Sequence, residues 1–120
     1  MSGYSDVKAV TITADTVALD ADGISVAASV GNNAALAIGG ALASGGAVSL
    51  SHGRIVTILS AGNDAAKSFT VTGTDVNGDA QTESITGANA GTATGTKFFK
   101  TISGISAVGN PAGNVSAGVN

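Results

Sequence analysis

Apolar and polar residues alternate along much of the chain, and the alternating runs are separated by glycine, asparagine and aspartate. About eight such runs, rich in Val, Ile, Thr and Phe, stand at 7–14, 16–21, 23–30, 54–59, 68–74, 80–86, 96–102 and 114–119. A period of two is typical of strands that are buried on one face. The pattern therefore predicts an all-β fold, an antiparallel β-sandwich or jelly-roll-like domain of short strands.

The most distinct pair of runs surrounds the sequence TDVNGDA, which predicts a hairpin. A two-residue turn at 77–78 would place Phe69 opposite Thr86, whereas a three-residue loop at 76–78 would place Phe69 opposite Ile85. A shift of one residue sends every side chain of a strand to the other face, so the two loops give different cores. We predict the three-residue loop because it keeps two apolar side chains together.

Asp75, Asn77 and Asp79 occupy alternate positions, as the first ligands of a calcium loop do. A helix-loop-helix calcium site would also need glycine at its sixth position, which here is Ala80, and flanking helices, which the strand-like runs do not favour. We predict instead that Asp75 begins a type I turn and that Gly78 adopts the left-handed conformation. No metal ligands are assigned.

A second hairpin is predicted at Asp22-Gly23. A two-residue turn there sets Leu19 opposite Val26 and aligns one apolar face. Asp20 and Asp22 are interpreted as turn residues and not as a pair of catalytic carboxylates.

Residues 31–51 form a Gly/Ala-rich connection with two open interpretations. Asn32 or Asn33 could cap a short helix that Gly39 and Gly40 would end. The alternative, which the paired glycines favour, is an extended or mobile connection that orders against a partner. The chain as a whole, residues 1–120, is predicted to be a single domain with a flexible arm at residues 1–8.

Small side chains dominate the apolar content, which is 43% of the chain with only 3% aromatic residues. Such a core removes little apolar surface from water, so we expect a homo-oligomer or an assembly, with a trimer favoured. The net charge of −3, the scattered basic residues and the absence of cysteine argue against nucleic-acid binding and disulfides. The N-terminal residues lack an apolar signal core and no run is long enough to span a bilayer, so cytoplasmic synthesis without a membrane anchor is expected.

Candidate chemistry is sparse. His52 is the only histidine and is interpreted as an exposed turn residue, so neither an enzyme nor a cofactor is predicted. Alternation within KFFK places Phe98 and Phe99 on opposite faces, one in the core and the other at an edge or interface. Glu83 falls in the predicted inward-facing row with Phe69, Val71 and Ile85. Because an unpaired buried carboxylate is costly, its charge must extend to the end of the core, pair with a lysine or face a neighbouring subunit. A Glu83→Ala variant that assembled normally would count against the third alternative.

The stretch from Ile55 to Gly118 resembles a β-rich segment of small structural proteins of tailed bacteriophages. The elements that carry the resemblance are SAGND, FTVTGTD.NG, E.ITG.NAGT, T.KFFKTI and AGNVS.G, which together span about half of the chain. Residues 1–54 carry little of it.

The resemblance implies a virion component, and head decoration or cement proteins of this type generally sit where capsid subunits meet, commonly as trimers. It implies the major capsid protein of a phage as partner and the capsid surface as location. The candidate interface residues are Tyr4, Glu83, Phe98 and Phe99. The alternatives are a phage tail or fibre adaptor and, from another class, an adhesin-like or carbohydrate-binding module.

Overall fold

The computed structural model describes residues 20–120. This part of the chain contains only strands and loops, and it has no helix long and apolar enough to cross a membrane. Seven strands are present: β1 Asp20–Ser29, β2 Ala43–Ser44, β3 Ala47–Ser60, β4 Ser68–Thr74, β5 Ala80–Thr86, β6 Thr92–Val108 and β7 Asn114–Val119. The predicted arm, Tyr4 and the first predicted strand at 7–14 lie outside the described residues.

The strands form a single antiparallel sheet in the order β1-β7-β3-β6-β4-β5, with β2 paired to the beginning of β3. The predicted all-β antiparallel fold is confirmed. Its elements are less even in length than the sequence pattern suggests, because β3 and β6 have 14 and 17 residues. Both long strands continue through glycines that the sequence pattern interprets as boundaries between strands.

Strand β6 joins two halves of the fold. Residues 92–102 pair with β3 on one edge, and residues 101–108 pair with β4 on the other. A Cβ atom added at Gly95, in the first half of β6, would lie 2.7 Å from Glu83 Oε1 and 3.0 Å from Ile85 Cδ1. Strand β5 therefore lies against the first half of β6, and the sheet folds over on itself into a sandwich-like arrangement.

The core fills the space between the two halves and consists almost entirely of aliphatic side chains. Phe69 and Phe99 are its only aromatic members among the described residues, and both are fully buried. The remaining fully buried large apolar side chains are Ile24, Ile58, Ile102, Ile105, Val48, Val56, Val71, Val115 and Val119. These side chains form one continuous cluster that is mainly isoleucine and valine, so the small residues that dominate the composition are not what fills the core.

The hairpin of β4 and β5 has the predicted register. Phe69 pairs with Ile85, and Gly78 has a φ of 87°, in the left-handed region. The Asp75 Oδ1 atom accepts the backbone N–H groups of Asn77 at 2.8 Å and Asp79 at 3.0 Å. Asp75 thus acts as a turn residue that satisfies two loop amides.

The predicted turn at Asp22-Gly23 is wrong, because both residues lie inside β1, which bulges here: five steps from Asp20 to Ser25 match two steps in β7. A loop segment packs on them: the Leu42 N–H donates to the Gly23 carbonyl at 2.8 Å. A Cβ at Gly40 would lie 2.3 Å from the Asp22 carbonyl oxygen, so this approach requires glycine. Val26 is 55% exposed and does not join the apolar face that the turn would have aligned.

The helix considered for residues 31–51 is also wrong, since this stretch is extended and ends in the hairpin of β2 and β3. Leu36 is buried and its N–H donates to the Ile105 carbonyl at 2.8 Å, beside β6. Gly45 and Gly46 have φ values of 64° and 83°, the backbone that a type I′ turn requires. The hydrogen bond to β6 and the turn at Gly45 and Gly46 therefore outweigh the local preference of the Ala/Leu residues for a helix.

Candidate interaction surface

The two adjacent phenylalanines of β6 face opposite directions. Phe99 is fully buried, whereas Phe98 is 56% exposed. This is the arrangement that strand alternation predicts, with one ring in the core and the other at the surface. A half-exposed phenylalanine keeps much of its apolar surface in water, so Phe98 is the clearest candidate for contact with another molecule.

Phe98 does not stand alone on its face. A Cβ added at Gly53 would lie 3.1 Å from the Phe98 Cβ and 2.7 Å from Val76 Cγ1, so both side chains adjoin the bare backbone of Gly53. Val76, at the tip of the β4–β5 hairpin, is 56% exposed. We call Gly53, Val76 and Phe98 the Phe98 surface.

Val76 and Gly53 were missed by sequence reasoning as members of this surface. The available signal was the apolar residue in a hairpin loop that otherwise consists of Asp, Asn and Gly. Val76 and Phe98 both lie beside Gly53 only because the folded sheet brings these distant segments of the chain together.

Glu83 supports the strand that carries Phe98. The two steps from Ile55 to Thr57 in β3 match four steps from Phe98 to Thr94 in β6, so β6 bulges between residues 94 and 98. The Glu83 Oε2 atom accepts the Thr96 N–H at 2.6 Å and the Thr96 hydroxyl at 3.0 Å. A charged acceptor thus replaces a partner that the bulge removes from the ladder.

A second Glu83 oxygen and a neighbouring amide complete the support. The Glu83 Oε1 atom accepts the Lys97 N–H at 3.3 Å, and the Gln81 Nε2 atom donates to the Phe98 carbonyl at 2.6 Å. Alternate side chains of β5 therefore bind successive backbone groups of the bulge. Glu83 thus binds backbone amides of its own chain, an arrangement that the three alternatives did not include, and its contact with a neighbour stays a prediction.

Charged residues of opposite sign are the sequence neighbours of Val76 and Phe98. Asp75 and Asp79 flank the loop that carries Val76, whereas Lys97 and Lys100 flank Phe98 and its buried neighbour on β6. Asp79 and Lys97 are exposed, and Lys100 is partly buried. The Lys97 Nζ atom donates to the Thr82 carbonyl at 2.8 Å, which holds its charge near β5.

His52 is exposed as predicted, but it lies within β3 and not in a turn. Its Nδ1 atom is 3.1 Å from the Ser51 hydroxyl, and its Nε2 atom is 3.4 Å from Arg54 Nη1. Arg54 also donates from Nε to the Asn120 carbonyl at 3.3 Å. These contacts link His52 to its neighbours on β3 and Arg54 to the C-terminal residue. Within residues 20–120 no three His, Cys, Asp or Glu side chains lie close enough to hold a metal ion.

Comparison of the chain with protein-family models, with curated proteins and with solved structures finds no match in any of the three.

Proposed function

We propose that this chain is a structural protein of a bacteriophage virion, a decoration or cement protein that binds between capsid subunits at the head surface. The observation that carries the proposal is the Phe98 surface, an exposed apolar site held by hydrogen bonds from β5. The resemblance of the region from Ile55 to Gly118 to phage structural proteins supplies the context. The major capsid protein is the proposed partner.

The exposed apolar area of the Phe98 surface is large enough for a weak contact with another molecule. Phe98 and Val76 each keep 56% of their surface exposed. Covering both would contribute about 2 kcal/mol, taking half of the usual gain for burying a phenylalanine and a valine. One such contact is weak, but a lattice that presents many copies, each joined to several neighbours, multiplies weak contacts into stable attachment.

A cement role also requires no catalytic group in the chain. It requires a stable domain, a fixed contact surface and no reaction. The backbone bonds made by Glu83 and Gln81 restrict the strand beside Phe98, so less conformational freedom is lost on binding.

The test is to add purified protein to phage shells that lack it and to image the particles by electron cryo-microscopy. The chain itself and a Val108→Ser variant should add density at repeating lattice positions. A Phe98→Ser variant should add much less. Val108 is the matched control because it is also an apolar residue on β6, is 50% exposed, and lies at the last position of that strand, away from Phe98.

Density that is absent from the lattice would overturn the proposal. Density confined to the tail would support the tail or fibre adaptor in its place. Equal decoration by the Phe98→Ser and Val108→Ser variants would remove the Phe98 surface from the explanation while leaving the capsid as partner.

A further inference from the structure

The tip of the β4–β5 hairpin places a side-chain amide next to an unhindered backbone nitrogen. Asn77 and Gly78 are both exposed, and a Cβ atom built at Gly78 meets nothing within 4 Å. The Asn77 side-chain amide has no hydrogen bond to any residue in the part of the chain that the structure describes. Packing and hydrogen bonding therefore leave this amide accessible to water and to the nitrogen that follows it.

These two groups can react with each other. The Gly78 backbone nitrogen attacks the Asn77 side-chain carbon Cγ, so that an N–Cγ bond forms and the Cγ–Nδ2 bond breaks. The proton of the Gly78 nitrogen passes through solvent to the leaving group, which departs as ammonia. Water then opens the cyclic imide at either carbonyl and leaves aspartate or isoaspartate at position 77. Glycine favours the attack because it has no Cβ to obstruct it and the widest backbone freedom.

We infer that Asn77 is a site of spontaneous deamidation, with water as the only co-reactant, and that Asp75 sets its rate. The Gly78 N–H donates to the Asp75 carbonyl at 3.1 Å, so the nitrogen has to give up this bond before it attacks. The Asp75 Oδ1 atom accepts the N–H groups of Asn77 at 2.8 Å and of Asp79 at 3.0 Å, on both sides of Gly78. Asp75 is therefore a positioning residue that keeps the reaction slow until the loop opens.

Deamidation changes the charge of the loop and, in one product, its backbone. It adds one negative charge to a chain whose formal net charge is −3. The new carboxylate stands between Asp75 and Asp79 in sequence. Isoaspartate also lengthens the backbone by one carbon atom, which changes the spacing of the amides that Asp75 binds. The inference goes beyond the proposed function, since it holds whatever molecule contacts the Phe98 surface.

Asn89 provides an internal control in the same chain. It is exposed like Asn77, but the next residue is Ala90. The Cβ of Ala90 obstructs attack by its nitrogen, and the Ala90 N–H donates to the Gly62 carbonyl at 2.7 Å. Asn89 should therefore remain an amide in samples in which Asn77 has reacted.

The test is to incubate the full chain in mildly alkaline buffer and to follow residues 77 and 89 by mass spectrometry of fragmented peptides. Acid should accumulate at position 77, partly as isoaspartate, and not at position 89. Asp75→Ala should speed the reaction about fivefold, equivalent to about 1 kcal/mol of lost loop stability. Asp79→Ala is the matched control because it removes the same charge from the same loop, and its rate should stay within about twofold of the parent.

The parent chain in urea gives a second measurement that does not depend on how any variant folds. Its open loop should react faster than the native loop, and circular dichroism checks that both variants remain folded without urea. An Asn77 that stays an amide in the parent and in Asp75→Ala would overturn the site. Equal rates in Asp75→Ala and Asp79→Ala, or in native and unfolded parent, would overturn the role of Asp75.

Discussion

Replacing Glu83 by alanine should destabilise the domain, because its carboxylate is the acceptor for two backbone amides of the β6 bulge. The change removes bonds at 2.6 and 3.3 Å to the amides of Thr96 and Lys97 and one at 3.0 Å to the Thr96 hydroxyl. It leaves every backbone strand pair in place. The loss should therefore fall on the bulge and on the strand that presents Phe98.

The size of the effect follows from the burial of the site. Hydrogen bonds to charged groups contribute about 1.5–3 kcal/mol each when buried, and unsatisfied buried amides cost about 1–3 kcal/mol. Glu83 is only partly buried, so water can replace part of the lost interaction. We expect a decrease of about 1–2 kcal/mol in the free energy of unfolding, or roughly 4–8 °C in Tm for a domain of this size.

Urea unfolding followed by circular dichroism measures this change directly. Ser84→Ala is the matched control, since Ser84 is the exposed neighbour of Glu83 on β5. Glu83→Gln should lie between the two, because the amide retains one acceptor oxygen. A Glu83→Ala variant within about 0.5 kcal/mol of the Ser84→Ala control, the usual range of surface substitutions, would refute the account of the bulge.

Other substitutions test the fold at separate points. Gly73→Ala should cost about 3 kcal/mol or more, because its Cβ would lie 1.9 Å from the Thr101 carbonyl oxygen, whereas Gly104→Ala, with nothing within 4 Å, should cost far less in the same urea titration. Asp75→Ala should lower stability by about 1 kcal/mol, seen as a lower Tm, by removing two loop hydrogen bonds. Asp64 is fully buried with one oxygen bonded to a backbone N–H and the other without a partner among the described residues. Asp64→Asn should therefore retain stability better than Asp64→Ala, and equal calorimetric unfolding of the two would contradict this reasoning.

Local rules predicted the elements that depend on neighbours in sequence. The register of Phe69 with Ile85 and the left-handed Gly78 follow from side-chain parity and turn chemistry within about twenty residues. The opposite orientation of Phe98 and Phe99 follows from alternation along a single strand. For such features the sequence carries nearly all of the necessary information.

Features that depend on distant segments were not predictable in the same way. Asp22-Gly23 has the composition of a turn, but these residues form a bulge of β1 on which Gly40 and its neighbours pack. The amides bound by Glu83 are exposed by a bulge in β6, and a bulge is defined only relative to the partner strand. The Phe98 surface joins residues 53, 76 and 98, which no local pattern connects.

The central claim is that this domain acts through contact at the Phe98 surface. Hydroxyl-radical footprinting of isolated protein and of assembled particles, read by mass spectrometry, compares two side chains of similar exposure, Phe98 at 56% and Val108 at 50%. Oxidation of Phe98 should fall sharply in the assembled particles while that of Val108 changes little. Equal oxidation of Phe98 in the two states would contradict the claim.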